Sequence, residues 1–112
     1  MANSRITAEL RRRVIKNFLD IFILTEFPDR ALSGYDVVGL VHKKFNILVS
    51  SGTIYSLLYS LERRGLIAGD VEGRKRIYRL TEKGEHDMDL IMQAKAKLRS
   101  FMTDISLLKA DE

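Results

Sequence analysis

The stretch SGYDVVGLVHKKFNILVSSGTIYSLLYSLERRG, residues 33–65, decides the fold. Ser33 has the side chain of a helix N-cap, and Asp36 stands at the capping-box position where Glu or Gln is more usual. Val37, Val38, Val41 and Phe45 then recur at helical spacing and supply a buried stripe. A short link, residues 46–49, leads to two serines, and either Ser50 or Ser51 can cap a further helix reaching about Arg64. Ile54, Leu57, Leu58 and Leu61 form its inner face at positions i, i+3, i+4 and i+7. Gly65 closes that helix as a C′ glycine. The segment therefore predicts two helices joined by a tight turn.

C-terminal to Gly65 the period changes. Residues 66–71 and 75–80 read as two short strands around Glu72-Gly73-Arg74, with Tyr78 and Leu80 facing the core. Thr81 is a cap for a long last helix to about Leu108. Its residues Ile91, Ala94, Leu98, Phe101, Ile105 and Leu108 alternate by three and four, an a/d seam. About 25 residues at 1.5 Å each make a rod nearly 40 Å long, longer than a small domain covers. Self-association along this seam is therefore expected, flanked by Met88, Met92 and Met102. N-terminal to Ser33, a helix is expected to start after Thr7 as its N-cap and to end before Pro28. Val14, Ile15, Phe18, Leu19, Ile21, Phe22 and Ile23 leave that helix apolar over so wide an arc that it needs cover on more than one side. Phe18 and Phe22 are expected to join the last helix in the dimer interface.

The order helix, helix, tight link, helix, hairpin is the layout of a winged helix-turn-helix. The fold class is thus mostly α with a small β-hairpin wing (α+β). Residues 1–83 would make the DNA-binding domain, and residues 84–112 a C-terminal dimerisation helix. In a helix-turn-helix the second helix enters the major groove. Its outer face here carries Ser51, Thr53, Tyr55, Ser56, Tyr59, Ser60 and Arg63, with Ser50 just before it. Hydroxyls and exposed N–H groups at a helix start can donate to phosphates. Tyr55 is assigned to DNA, whereas Tyr59 divides evenly between DNA contact and packing along the helix edge. Arg74, Lys75 and Arg76 crowd the hairpin tip, where a wing reaches the backbone or the minor groove and displaces counterions.

Composition limits the alternatives. The 112 residues carry a formal charge of +4 with no cysteine, so neither disulfides nor thiolate metal sites arise. The apolar run around Ile21 to Leu24 is too short to cross a membrane, and residues 1–13 lack the apolar centre of a signal peptide. Cytoplasmic location is the default expectation. His42 and His86 lie on different helices with no metal-ligand spacing, and no glycine-rich phosphate loop follows a strand. An enzyme, a metal and a cofactor are not expected. A protein-docking winged helix without DNA binding is the competing function. A second variant is a regulator with a small apolar effector between the first and last helices, lined by Phe18, Phe22 and Phe101.

Residues 33–37, 51–58 (SGTIYSLL), 61–67 (LERRGLI) and 78–84 (YRLTEKG) together resemble the PadR-like transcriptional regulators, over about residues 14–84. The resemblance implies dimeric repressors on pseudo-palindromic operators, with the C-terminal helix making the dimer. It implies DNA contact for Thr53, Tyr55 and the basic wing residues, and a structural role for Gly34 and Tyr35. Ser33 stands where the family usually has histidine, Ser51 where proline is frequent, and the wing is short without a tip proline.

Overall fold

The computed structural model describes residues 2–104. The elements run α1 (Ala2–Asn17), α2 (Leu19–Leu24), β1 (Leu32–Ser33), α3 (Gly34–Phe45), α4 (Ser51–Arg63), β2 (Ile67–Glu72), β3 (Lys75–Leu80) and α5 (Glu82–Asp104). The expected winged helix-turn-helix with a small sheet and a long last helix is what the chain adopts.

Local chemistry places each boundary. The Ser33 hydroxyl accepts from the Asp36 amide at 3.1 Å while the Asp36 carboxylate accepts from the Ser33 amide at 2.9 Å, a complete capping box. Asn46 ends α3 in the left-handed region at φ 50°, which its short polar side chain tolerates. In the link, Ile47 and Val49 are buried while Leu48 between them points outward. The N-cap of α4 is Ser50, whose hydroxyl accepts from the Thr53 amide at 3.1 Å. After α4 the amides of Gly65 and Leu66 bond back to the carbonyls of Glu62 and Leu61, with Gly65 at φ 79°. That pattern closes the helix through the left-handed glycine expected there.

β2 and β3 pair from Ile67↔Leu80 to Glu72↔Lys75, so only Gly73 and Arg74 form the turn. Gly73 has φ 67°, as the first central position of a type II′ turn requires. The sheet has a third member that the sequence did not announce. β1 pairs antiparallel with β3, Leu32 opposite Tyr78 and Ser33 opposite Ile77, giving the order β1-β3-β2. Two residues are too few to display a period of two.

The core is built from Ile15, Leu19, Ile23, Phe27, Val37, Val41, Ile54, Leu58, Leu61, Ile67 and Tyr78, with Met88 of α5 sealing one side. Leu80 is half-buried against it. The first helix departs from expectation at both ends. It begins at Ala2, so Thr7 lies inside α1 rather than capping it, and it changes direction at Phe18 (φ −113°, ψ 19°) before continuing as α2. Backbone hydrogen bonds Phe18→Val14 and Phe22→Phe18 run on through the break. At the other end of the chain, α5 leaves the domain: from Met92 onward every described side chain is exposed.

Candidate nucleic-acid interface

The start of α4 and the β2–β3 hairpin both border the first turn of α3: Tyr55 packs on Gly34, and the Lys75 charge reaches the Asp36 carboxylate. On α4 the buried side is Ile54, Leu58 and Leu61, so helical geometry turns Ser51, Thr53, Tyr55, Ser56, Tyr59 and Arg63 outward, and all six are exposed. The Ser50 and Thr53 hydroxyls hydrogen-bond each other at 2.9 Å across the first turn. Ser51 and Gly52 follow the cap, where N–H groups lack intrahelical acceptors. The Arg63 guanidinium lies 5.5 Å from the centroid of the Tyr59 ring, a cation–π contact. Tyr59 is thus paired along its own helix edge and still open to solvent.

Tyr55 has a different support. Its ring crosses Gly34, the first residue of α3, so closely that a Cβ there would collide with Cε1 and lie 2.8 Å from Cζ. Gly34 is buried and has the structural role that the resemblance implied. Tyr35 has no such role within this chain. It is 78% exposed on the first turn of α3, beside the same surface.

The wing basics divide in two. Arg74 and Lys75 are exposed and make no ion pair among the described residues. Arg76 instead pairs with Glu62 of α4, Nη2 to Oε2 at 2.7 Å, and its guanidinium lies 5.7 Å from the Tyr78 ring centroid. The same Glu62 oxygen accepts from the Gly69 amide at 3.0 Å. Glu62 therefore ties α4 to the β2–β3 hairpin, and its carboxylate holds the Arg76 guanidinium above its ordinary pKa. The missing side chain at Gly69 leaves room for both partners, since a Cβ there would meet Arg76 Nε at 2.7 Å and the Tyr78 ring at 3.0 Å. Sequence alone hides this tie, because it joins residues from separate elements.

The residues expected at a dimer interface are spread over two helices. Phe18, Ala94, Leu98 and Phe101 are exposed. Ile91 is half-buried on the core, and Phe22 stacks on Phe45 with ring centroids 5.3 Å apart, at the edge of the chain's own interior. Ile105 and Leu108 lie outside the described residues. Three further side chains, Ile6, Leu10 and Val14, continue the exposed apolar stripe of Phe18 along α1. Their spacing of four was the available signal, of which a helix start after Thr7 hides Ile6 alone.

Other chemistry finds little purchase. Among the described residues no three His, Cys, Asp or Glu side chains gather as a metal would need, and no helix is long and apolar enough to cross a membrane. His42 sits on the surface, with Nε2 3.0 Å from the Val49 carbonyl oxygen, bracing the link into α4.

The sequence matches the model of the transcriptional regulator PadR-like family over residues 23–90. A PadR-like transcriptional regulator from Bacillus cereus superposes with a TM-score of 0.72 at 24% identity, over 85% of this chain and 97% of that one. A PadR family regulator from Eggerthella lenta gives 0.71 at 22% identity, over 100% and 99%. A second PadR-like regulator of Bacillus cereus is 32% identical with a TM-score of 0.55, over 66% of this chain and 44% of that one. Among curated proteins none matches the sequence.

Proposed function

The chain belongs to the transcriptional regulator PadR-like family, and from that premise we propose that it is a sequence-specific double-stranded-DNA-binding repressor acting as a homodimer in the cytoplasm. In this reading α4 lies in the major groove, and the β2–β3 wing rests on the backbone or minor groove. In the same reading residues 1–83 make the DNA-binding unit, and the segment from residue 84 onward makes the dimer. The observation that carries the reading is the shared surface itself. A hydroxyl-rich, unblocked helix start and a hairpin turn with two exposed cations, Arg74 and Lys75, which make no ion pair among the described residues, both border the first turn of α3. Such a surface suits phosphates and base edges, whereas a protein-docking winged helix would present an acidic or apolar outer face on α4. Arg76 serves the interface in two ways, since its guanidinium has donors beyond those given to Glu62.

Dimerisation follows from the apolar side chains left uncovered on α1 and α5. The 23 residues of α5 make a rod of about 35 Å. Ala94, Leu98 and Phe101 are exposed on that rod, and Ile6, Leu10 and Val14 of α1, with Phe18 at the α1–α2 break, form a second exposed apolar stripe. A second copy brings the same surface, and two-fold pairing would set two α4 helices about 34 Å apart, one turn of DNA.

An apolar effector has one observation in its favour. A cleft of about 340 Å³ opens between α2, the end of α4 and α5, lined by Ile21, Leu24, Leu61, Leu66, Leu90 and Ile91, with the Asp20–Arg64 pair at its rim. Phe18, Phe22 and Phe101, the lining expected from sequence, do not border this cleft.

The test is a titration of labelled duplex with protein across a salt series, comparing the wild type with Arg74→Ala plus Lys75→Ala. The wild type is expected to bind with log affinity falling steeply against log salt, and the variant with a slope shallower by about 0.9 for each lost phosphate contact. No binding at low salt contradicts the reading and favours a protein-docking winged helix.

A further inference from the structure

Resting on the DNA-binding reading, we propose that one edge of α1 is an additional DNA-backbone contact, with Arg5 and Arg12 as its phosphate-binding residues. The edge borders the link into the recognition helix. Arg5, Ala8, Glu9, Arg11 and Arg12 of α1 line one open cleft with Asn46, Ile47 and Leu48 of the α3–α4 link. Two residues beyond Leu48 stands Ser50, the cap of α4, so the link that forms one wall of the cleft leads into the start of that helix.

The helix wheel gives α1 three distinct sides. Ile15 and Leu19 face the core. Ile6, Leu10, Val14 and Phe18 flank it on one side as the apolar stripe available to a second copy. Arg5 and Arg12, seven residues apart, flank it on the other, with Lys16 one turn further on. All three cations are exposed and make no ion pair among the described residues. Their one acidic neighbour, Glu9, is engaged with Arg13 at 3.4 Å. Arg11 differs: its Nη1 donates to the Phe45 carbonyl at 2.9 Å, fastening α1 to the end of α3 and fixing the cleft's width.

The cleft also has an apolar component with no cover. Leu48 is 91% exposed, the most exposed large hydrophobic side chain among the described residues. A sugar–phosphate strand matches this combination, offering anionic oxygens to the arginines and an apolar deoxyribose face to Leu48. Continuity with α4 supplies the strand, because DNA seated on Ser50 and Thr53 has its backbone within reach of the neighbouring link. The consequence is a longer footprint, in which α1 holds the strand on the side of α4 away from the wing.

The experiment is fluorescence anisotropy with a labelled duplex of about 40 base pairs, several turns long, across a salt series. Arg5→Ala plus Arg12→Ala is expected to weaken binding about tenfold and to flatten the salt slope by roughly 2 per bound protomer. Arg5→Lys plus Arg12→Lys should retain most of the slope. Lys95→Ala plus Arg99→Ala removes equal charge from α5 and, with sedimentation showing the same assembly as the wild type, should leave the slope nearly unchanged. An α1 alanine variant that binds like the wild type, while the wing variant is impaired, overturns this proposal and leaves the DNA-binding function standing. An equal loss in the α5 control overturns it too, since general charge then accounts for the effect. If the α1 alanine variant sediments as a monomer, the edge serves a second copy instead, which also overturns it. A wild type that binds no duplex sinks both readings.

Discussion

The ring of Tyr55, at the exposed start of α4, rests on the bare Cα of Gly34, the first residue of α3. One side of the ring meets the protein and the other meets solvent, so Gly34 sets the direction in which the phenol projects. In Gly34→Ala the new Cβ forces the half-exposed ring outward, while the helix gains a better former. Stability is expected to change by less than about 1 kcal/mol, because these effects oppose each other. DNA affinity is expected to fall about tenfold, equivalent to about 1.4 kcal/mol. A double-mutant cycle with Tyr55→Ala checks the cause: once Tyr55 is gone, Gly34→Ala should have little further effect on binding.

Asp36 gives the capping box a pH signature. Hydrogen bonds from the Ser33 backbone and hydroxyl hold its carboxyl below the ordinary value of 3.8. A carboxyl with a depressed folded-state pKa stabilises the fold fully above its unfolded pKa, and the contribution disappears as pH falls through the folded value. Asp36→Asn should therefore cost about 0.5–1 kcal/mol in urea denaturation at pH 7. The gap between variant and wild type should hold steady down to about pH 5 and close below about pH 4.

Two glycines on helices should respond oppositely to alanine. A Cβ at Gly84 would collide with the Leu66 carbonyl oxygen and approach Leu80 Cδ2 at 2.9 Å, so the first turn of α5 must move off the sheet. Gly84→Ala is expected to destabilise by more than about 2 kcal/mol. A Cβ at Gly39 would meet nothing within 4 Å beyond its chain neighbours and the helix's own backbone, and Gly39→Ala should stabilise α3 by about 0.5–1 kcal/mol. Thermal melts of the two variants provide the comparison.

The dimer surface can be broken without touching the core, because Leu98 and Phe101 are exposed in the single chain. Leu98→Asp plus Phe101→Asp should sediment as a folded monomer with an unchanged helical signal. Specific DNA binding should weaken by at least about a hundredfold, since one α4 per particle forfeits the second half-site.

Features made by neighbouring residues were legible in the sequence. The Ser33–Asp36 box, the Gly65 closure, the inner leucines of α4 and the Gly73 turn each require only a few consecutive residues to declare themselves. Features made by distant residues were not. β1 shows no alternation in two residues, and Ala2 begins α1 without a capping sequence to mark it. The Tyr55–Gly34 contact and the Glu62 tie to Gly69 and Arg76 exist only once the elements are packed. Arg76 therefore looked like Arg74 and Lys75 in a basic run, although its guanidinium already has a carboxylate partner.

The most direct test of a dimeric, sequence-reading regulator is selection of bound duplexes from a random pool by the full-length protein, followed by sequencing. The account predicts enrichment of an inverted repeat whose half-site centres lie about one helical turn apart, roughly 10 base pairs. A pool that gains no motif, or one that gains only a single asymmetric site, would contradict it.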